Sequence, residues 1–526
     1  MNNQLDDQQK GLDWWVFGIS GGFFVLFVIA SFLNLDFVSR AVDASFNWSA
    51  KWFGAYWQVF VLLTFIIAIV LALSKYGSVR LGGDKPEIKT FKWIAMIMTA
   101  LLAGGGVFWS AAEPMYHFLE LPPLFSQMGI ESATEAAVGP AFSYAFLHWG
   151  FLAWAVLGTL ATIVLMDGVY DKDLPLQPRS LLHPVVGKEG VFSPLGSFAD
   201  ITSIIAVAAG TIGPIGFLGL QLSYALETLF GIPDVFATQL IVVIVFVIFY
   251  TITAVAGLEE GIQRLADFSA KFALFCGFLL IVVGPGRFII NNFLDGYGVY
   301  IDNFFQLSLY RGDSGWLAWW TAFFWAWFIG YAPMMAIFVS RISKGRTIKE
   351  IILAVAIISP IVTNFWFGIV GGTGIFYELK NPGSISEPLY SSGMAAALLD
   401  IMGQVPLSMF FLLAFLLLIV CFLATTGNSM AYTMSMVVTG EQEPPAWMRA
   451  FWAIAMGAVA AILMRIGGVE ALQNLIVATA VPVSILLLPT LWAAPKIAAE
   501  AYAKQNNEKV ESEEETELAE EVSSEV

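Results

Sequence analysis

Residues Leu101–Pro114 read LLAGGGVFWSAAEP: three adjacent glycines inside a strongly apolar run, followed by an acid and a proline. Each glycine costs a helix about 1 kcal/mol relative to alanine. The stretch therefore raises two questions: what solvent surrounds such a run, and what repays its weak helix formers. Composition answers the first. Of 526 residues, 58% are hydrophobic and 13% charged, against about 25% charged in an ordinary soluble domain. Apolar runs of about 20 residues, each able to cross a hydrocarbon core of about 30 Å, recur at roughly 13–34, 55–76, 91–116, 141–167, 197–222, 235–256, 264–285, 316–339, 349–373, 407–437, 447–467 and 472–494. Lipid cannot satisfy backbone polar groups, so twelve transmembrane helices are expected.

Lysine and arginine set the orientation. With an even number of spans both termini share a side. The terminal and even-numbered connections hold 19 of the 25 basic residues, including Lys75, Arg80, Lys85, Lys89, Lys92, Arg341, Lys344, Arg346 and Lys349. Both termini are accordingly expected in the cytoplasm, with the chain in the cytoplasmic (inner) membrane. The first residues, MNNQLDDQQKGLDWW, lack a basic n-region, so the first span is expected to be retained. Cys276 and Cys421 fall inside spans and imply neither a disulfide nor a metal site. A net charge of −16 gives no reason to expect a nucleic-acid partner. Nine acids lie in the tail from Glu508, which is expected to be disordered and solvated.

The third run is not alone in carrying helix breakers. The eighth, WWTAFFWAWFIGYAPMMAIFVSRIS, holds Gly330 and Pro333 in mid-span. Two such spans five helices apart suggest inverted repeats, in which loosened helices expose backbone groups to a ligand near the midplane. The competing explanation for Gly104, Gly105 and Gly106 is close helix packing. The resulting division is a short tail (1–12), two peripheral helices (13–90), a first five-helix repeat (91–285), an interfacial amphipathic helix and loop (286–315), a second repeat (316–495) and the acidic tail (496–526).

The eighth run is also an aromatic box, with nine rings between Trp316 and Tyr331. Trp316 and Trp319 suit an interfacial anchor. Trp320, Phe323, Trp327 and Tyr331 recur at three- and four-residue spacing and share a helix face. The fourth run adds Trp149 and Trp154 in LHWGFLAWAV. Electron-rich indole and phenol faces attract large, weakly hydrated cations at about 0.5–2 kcal/mol per contact. A neutral cage also spares a zwitterion's own acid from repulsion.

The stretches GGGVFWSAAEPMYHF, FLHWGFLAWAV, FFWAWFIGYAPMM and FVSRISKGRTIKE resemble the betaine/carnitine/choline transporter family over about residues 13–495. The resemblance implies an all-α integral membrane protein with a LeuT-like fold of two inverted five-helix repeats, a homotrimer, and transport of quaternary ammonium compounds or related zwitterions. It places Trp149 and Trp154 at fourth-helix cage positions, and Trp327, Phe328 and Tyr331 at eighth-helix ones. Phe323 and Trp325 fall along the pathway, and Trp109 on the pocket side of the third helix. Two departures thin the cage. Leu157 stands where many betaine carriers have tyrosine, and Phe328 where many have a second tryptophan. Betaine, choline, carnitine, dimethylsulfoniopropionate and taurine all remain open as substrates.

The tenth run holds Thr425 and Thr426 before Gly427 in CFLATTGNSMAYT. Two hydroxyls with the Phe422 carbonyl, facing the third-span backbone near Thr99 and Leu102, match the ion site of the family's sodium-coupled branch. Sodium is thus expected as coupling ion, with no other cofactor. The alternative for the threonines is back-bonding to their own carbonyls. Thr211 in AAGTIGP is a candidate for a second ion site, although Val207 occupies the preceding turn. A sodium-independent exchanger is the alternative function. Met335 would suit it, but Gln263 aligns with the family's arginine position and Arg264 sits next to it. Glu113 lies near the outer end of its span, where water can reach it, and is expected to serve structure or gating. His148 is expected to bond a neighbouring helix. A polytopic enzyme is the rival class, but no CxxC, HExxH or GxSxG pattern supplies clustered reactive groups.

Overall fold

The computed structural model describes residues 12–101, 104–256, 259–441 and 443–524. Among them the chain is helical nearly throughout, and Arg80 and Thr347 form an isolated antiparallel bridge. Among the described residues eleven helices are long and apolar enough to cross a bilayer. The expected third span supplies none of the eleven. The described parts of that span are the helical stretches Thr90–Leu101 and Gly104–Leu119, on either side of residues 102–103, which lie outside the described residues. Leu102, one of the expected ion ligands, lies outside the described residues.

Several boundaries differ from those read along the chain. The second helix, Leu35–Leu73, begins 20 residues early because Asn34 caps it, accepting from the Phe37 amide at 2.9 Å. At 39 residues it is about 58 Å long, well beyond a bilayer's thickness. The eighth span is not broken at Gly330 and Pro333: Phe323–Ile342 continues through both. A Cβ at Gly330 would rest in ordinary contact, 3.5 Å from that of Ala206. The irregularity lies earlier, in a π-helical turn at Ala318–Ala322. The fourth span is interrupted instead, with non-helical backbone at Gly150 and Thr159. Gly104, Gly105 and Gly106 are themselves helical. Helix Thr490–Ser524 runs through the segment expected to be disordered from residue 496; its Ala, Glu and Lys content has high helix propensity. The connection 286–315 carries helices Gly286–Asp302 and Phe304–Leu309.

Burial sorts the spans into layers. Glu135–Asp171 and Pro194–Phe230 are each 94% buried over their most apolar stretch, and Ser314–Ile342 is 89% buried. Trp14–Leu33, Phe236–Thr253 and Glu260–Val283 bury only 28%, 22% and 22% and form the periphery. The inner group holds the fourth, fifth and eighth spans, where the aromatic runs lie.

The connections expected on the basic side do share one face. The Leu81 amide donates to the Arg346 carbonyl at 3.1 Å, and the Gly345 amide donates to Leu81 at 2.8 Å. Arg179 pairs with Asp13 at 3.0 Å, Gln177 donates to the Val437 carbonyl, and Gln505 donates to the Arg80 carbonyl. Arg346 explains why the RISKGRTI tract is so particular. Only 3% exposed, it stacks over Trp93 with 4.5 Å between guanidinium carbon and ring centroid. It donates to the Ile88 carbonyl, Thr90 and Glu350. Lysine lacks the planar fork needed for this set. Arg346→Lys should lose about 1.5–3 kcal/mol and lower the unfolding temperature of the detergent-solubilised protein; an unchanged melting curve would remove Arg346 as the latch between these connections.

Candidate functional site

The eighth span builds a staircase of rings. Trp316, Trp320, Phe324 and Phe328 stack in succession, four residues apart, at centroid distances of 6.4, 6.5 and 6.4 Å. On the adjoining face Phe323 and Trp327 lie 5.4 Å apart. The rings of Trp327 and Phe328 are nearly parallel, at 11°. The fourth span meets this surface edge-on. Trp149 contacts Trp327 at 5.9 Å and 83°, and Phe328 at 5.4 Å and 85°. Its position follows from Gly150, where the helix ends with φ −100° and ψ −142°. A Cβ at Gly150 would fall on the Phe146 carbonyl oxygen, so the break immediately after Trp149 requires glycine.

Gly105 answers the question left by the opening stretch. A Cβ there would lie 2.7 Å from Cη2 of Trp327 and 3.5 Å from Cη2 of Trp149. The backbone of the third span lies against the far edge of the Trp327 ring, where a side chain would overlap it, and in ordinary contact range of Trp149. Gly210, on the fifth span, plays the same part from the other side. A Cβ there would overlap the Tyr331 ring and lie 3.3 Å from Trp327 Cδ1. The Gly210 carbonyl accepts from Trp327 Nε1 at 3.1 Å. Next to it, Thr211 donates to the Val207 carbonyl, which leaves the Tyr331 hydroxyl to donate to Thr211 Oγ1 at 2.7 Å.

The structure thus brings together Trp149, Phe323, Trp327, Phe328 and Tyr331. Trp109 adjoins them through Phe323 at 5.5 Å. Trp154 and Leu157 are buried on the following helix, Phe151–Gly158, and among the described residues Trp154 makes no ring contact with the group. Trp325 points away, with its ring against His148 and a buried indole N–H that has no partner. Phe217 and Phe367 were not anticipated. Phe217 touches Trp109 and Trp327, and Phe367 lies 4.9 Å from Trp149. A phenylalanine on an apolar helix carries no mark of its own, so spacing could not single them out.

Glu113 is not at a watery margin. It is fully buried, because Gly371 lets the ninth span close on Pro114, with a would-be Cβ 2.5 Å from the proline ring. Its Oε2 accepts from Trp149 Nε1 at 2.8 Å. Its Oε1 lies 2.6 Å from His148 Nδ1 and 3.2 Å from His117 Nε2. His148 Nε2 reaches Thr321 Oγ1 at 3.0 Å. An acid, two imidazoles and an indole from two spans, with a hydroxyl from a third, thus form one network.

At the candidate ion site Thr425 donates to the carbonyls of Cys421 and Phe422, and Thr426 donates to Phe422 at 2.8 Å. Both hydroxyls are back-bonded, yet each oxygen retains lone pairs for a cation. Tyr250 donates to the Leu423 carbonyl and packs against Gly427. The side chain of Thr99 lies outside the described residues. Met335 is buried, whereas Gln263 and Arg264 are exposed, Arg264 pairing with Glu260 at 3.4 Å.

Comparison with known proteins places these features in context. Residues 15–503 match the model of the betaine/carnitine/choline family transporters. The chain is 51% identical over 486 residues to glycine betaine transporter 2 of Vibrio parahaemolyticus, covering 92% of this chain and 89% of that protein. It is 30% identical over 493 residues to an ectoine/hydroxyectoine transporter of Virgibacillus pantothenticus, covering 92% and 96%. It is 29% identical over 482 residues to the high-affinity choline transport protein of Escherichia coli, covering 90% and 70%.

The glycine contacts can be tested without a substrate. Gly105→Ala and Gly210→Ala should each lose about 1–3 kcal/mol through overpacking and melt earlier in detergent. Gly18→Ala, with open space around its Cβ, is the control. Melting temperatures equal to that control would show that the rings are not held against this backbone.

Proposed function

Because the chain belongs to the betaine/carnitine/choline family of transporters, we propose that it is a sodium-coupled secondary transporter of a small zwitterion or cation bearing a quaternary ammonium or sulfonium head. The observation that carries this reading is the cluster of buried Trp149 and Trp327 with half-buried Phe328, stacked and edge-on, and half-buried Tyr331 beside them against Gly210 and Thr211. Aromatic faces bind such heads electrostatically without stripping a strongly held water shell. Three or four contacts, less the cost of ordering the ligand, correspond to an affinity of about micromolar to millimolar. Glycine betaine and choline, named for two of the relatives, carry such a head, and glycine betaine is the leading candidate.

The proposed architecture is a twelve-span, LeuT-like pair of inverted repeats. Residues 90–119 serve as the third span. Chains assemble as homotrimers in the cytoplasmic membrane, with both termini and the basic connections in the cytoplasm. Transport proceeds by alternating access, with spans 3, 4, 8 and 9 rocking against the others. In the present arrangement the rings touch one another, so admitting a head group requires Trp149 and Trp327 to part. The bonds from Trp327 to Gly210 and from Tyr331 to Thr211 join the moving eighth span to the fifth. They are suited to hold one state and release in the other. Sodium binds at Thr425, Thr426 and the Phe422 carbonyl, tying the tenth span to the third-span backbone, so its gradient drives uptake.

Proteoliposomes test both parts. Trp327→Ala should abolish saturable uptake of radiolabelled glycine betaine while the protein still inserts; wild-type kinetics would refute the cage. Replacing Thr425 and Thr426 together by alanine should raise the sodium concentration for half-maximal uptake by about tenfold, the equivalent of ~1.4 kcal/mol. A sodium dependence left unchanged would move the reading to substrate exchange.

A further inference from the structure

We infer that Glu113, His117 and His148 form a buried proton-binding site that sets the cage's affinity for a cationic head group through the indole N–H of Trp149. The inference rests on the cage reading and adds regulation to it.

The geometry gives the site one output. Glu113 Oε1 faces the two imidazoles, while Oε2 accepts the Trp149 N–H at 2.8 Å. All three titratable groups are at most 1% exposed. Among the described residues Glu113 pairs with His117 and His148, and no lysine or arginine joins them. Surrounding groups supply no compensating charge. Tyr144 of the fourth span contacts both imidazoles, and the eighth-span side contributes Trp316, Trp320, Phe324 and Thr321. Acids on the other elements packed against this helix are engaged elsewhere. Glu378 of the ninth span is held by Ser386 and the amides of Gly383, Ile385 and Ser386. Asp400 binds Tyr224 of the fifth span, and Asp200 binds Arg179. The tenth span offers Cys421, a neutral thiol.

With the acid ionised and both imidazoles neutral the cluster carries one negative charge. One proton makes it neutral and a second makes it positive. Each state is expensive in a dry interior unless shared among the three, and the approach of Glu113 Oε1 to a nitrogen of each imidazole lets the three share that proton. The charge acts directly on the cage. A carboxylate accepting the indole N–H makes the Trp149 face more negative, which strengthens its hold on a cation. Protonation withdraws that effect and places positive charge behind the ring. Affinity for a cation therefore falls as pH falls.

The test is uptake of radiolabelled choline and glycine betaine by proteoliposomes from pH 5.5 to 8.5, at fixed saturating sodium and no pH gradient. Wild-type KM should rise by about tenfold toward acid pH, the equivalent of ~1.4 kcal/mol, with a smaller change in maximal rate. Glu113→Gln should show the raised KM throughout, and His117→Gln and His148→Gln should flatten the rise. Trp149→Phe, a ring without the N–H, should lose the pH dependence of KM. A pH-independent wild-type KM, or a Trp149→Phe variant with the wild-type pH slope, would overturn the inference even if Glu113→Gln does not fold. Trp327→Ala separates the two readings. Retained wild-type transport there sinks the cage itself, whereas lost transport with a flat wild-type profile sinks only the proton site.

Discussion

Trp327 is gripped by backbone on both sides. The Gly210 carbonyl takes its N–H, and Gly105 lies against the far edge of its ring. An indole can be approached this closely only where a Cβ is missing. The third and fifth spans therefore converge on the eighth at these two points. Trp149 then fills the remaining edge, aimed there by the break at Gly150. The innermost layer of the bundle is organised around these contacts, and the less buried helices surround it. In a bilayer, packing and hydrogen bonds must do what water exclusion does elsewhere. A ring enclosed by two backbones offers both.

The chain's apolar runs made the membrane class legible, and four short motifs made the family legible. Individual contacts were less so. Spacing of three and four residues shows which rings share a helix face, but not which helix lies opposite. Trp149 and Trp154 looked equivalent in sequence, yet the backbone turns at Gly150 between them and only Trp149 meets the cluster. Gly330 and Pro333 looked like a break. The helix passes through both. The π-helical turn at Ala318–Ala322 has no glycine or proline to announce it. Thr425 and Thr426 left back-bonding and ion ligation open, and their observed bonds use the hydroxyl hydrogens without using all the oxygen lone pairs.

Glu113 shows why position along a span is a poor guide to depth. It stands near the end of an apolar run, beside a proline, which in one dimension reads as a margin. In three dimensions the ninth span closes over Pro114 through Gly371, and the acid becomes fully buried. Its partners come from elements far apart in sequence: His148 and Trp149, with Thr321 one bond further on. An i,i+4 pair with His117 was the one part of this network that spacing alone could have revealed.

The same acid bears on how an aromatic cage can be made selective for charge. A carboxylate inside the cage would attract a cation strongly but repel the acid of a zwitterion. Placed behind an indole, it acts through the ring. The head group meets only a π face whose negative character has been raised, and the carboxylate stays out of reach of the ligand's own acid. The arrangement also keeps the carboxylate hydrogen-bonded when the cage is closed, avoiding the several kcal/mol that an unpartnered buried charge costs. The polar network thereby extends the aromatic surface in depth, while the surface presented to substrate stays neutral.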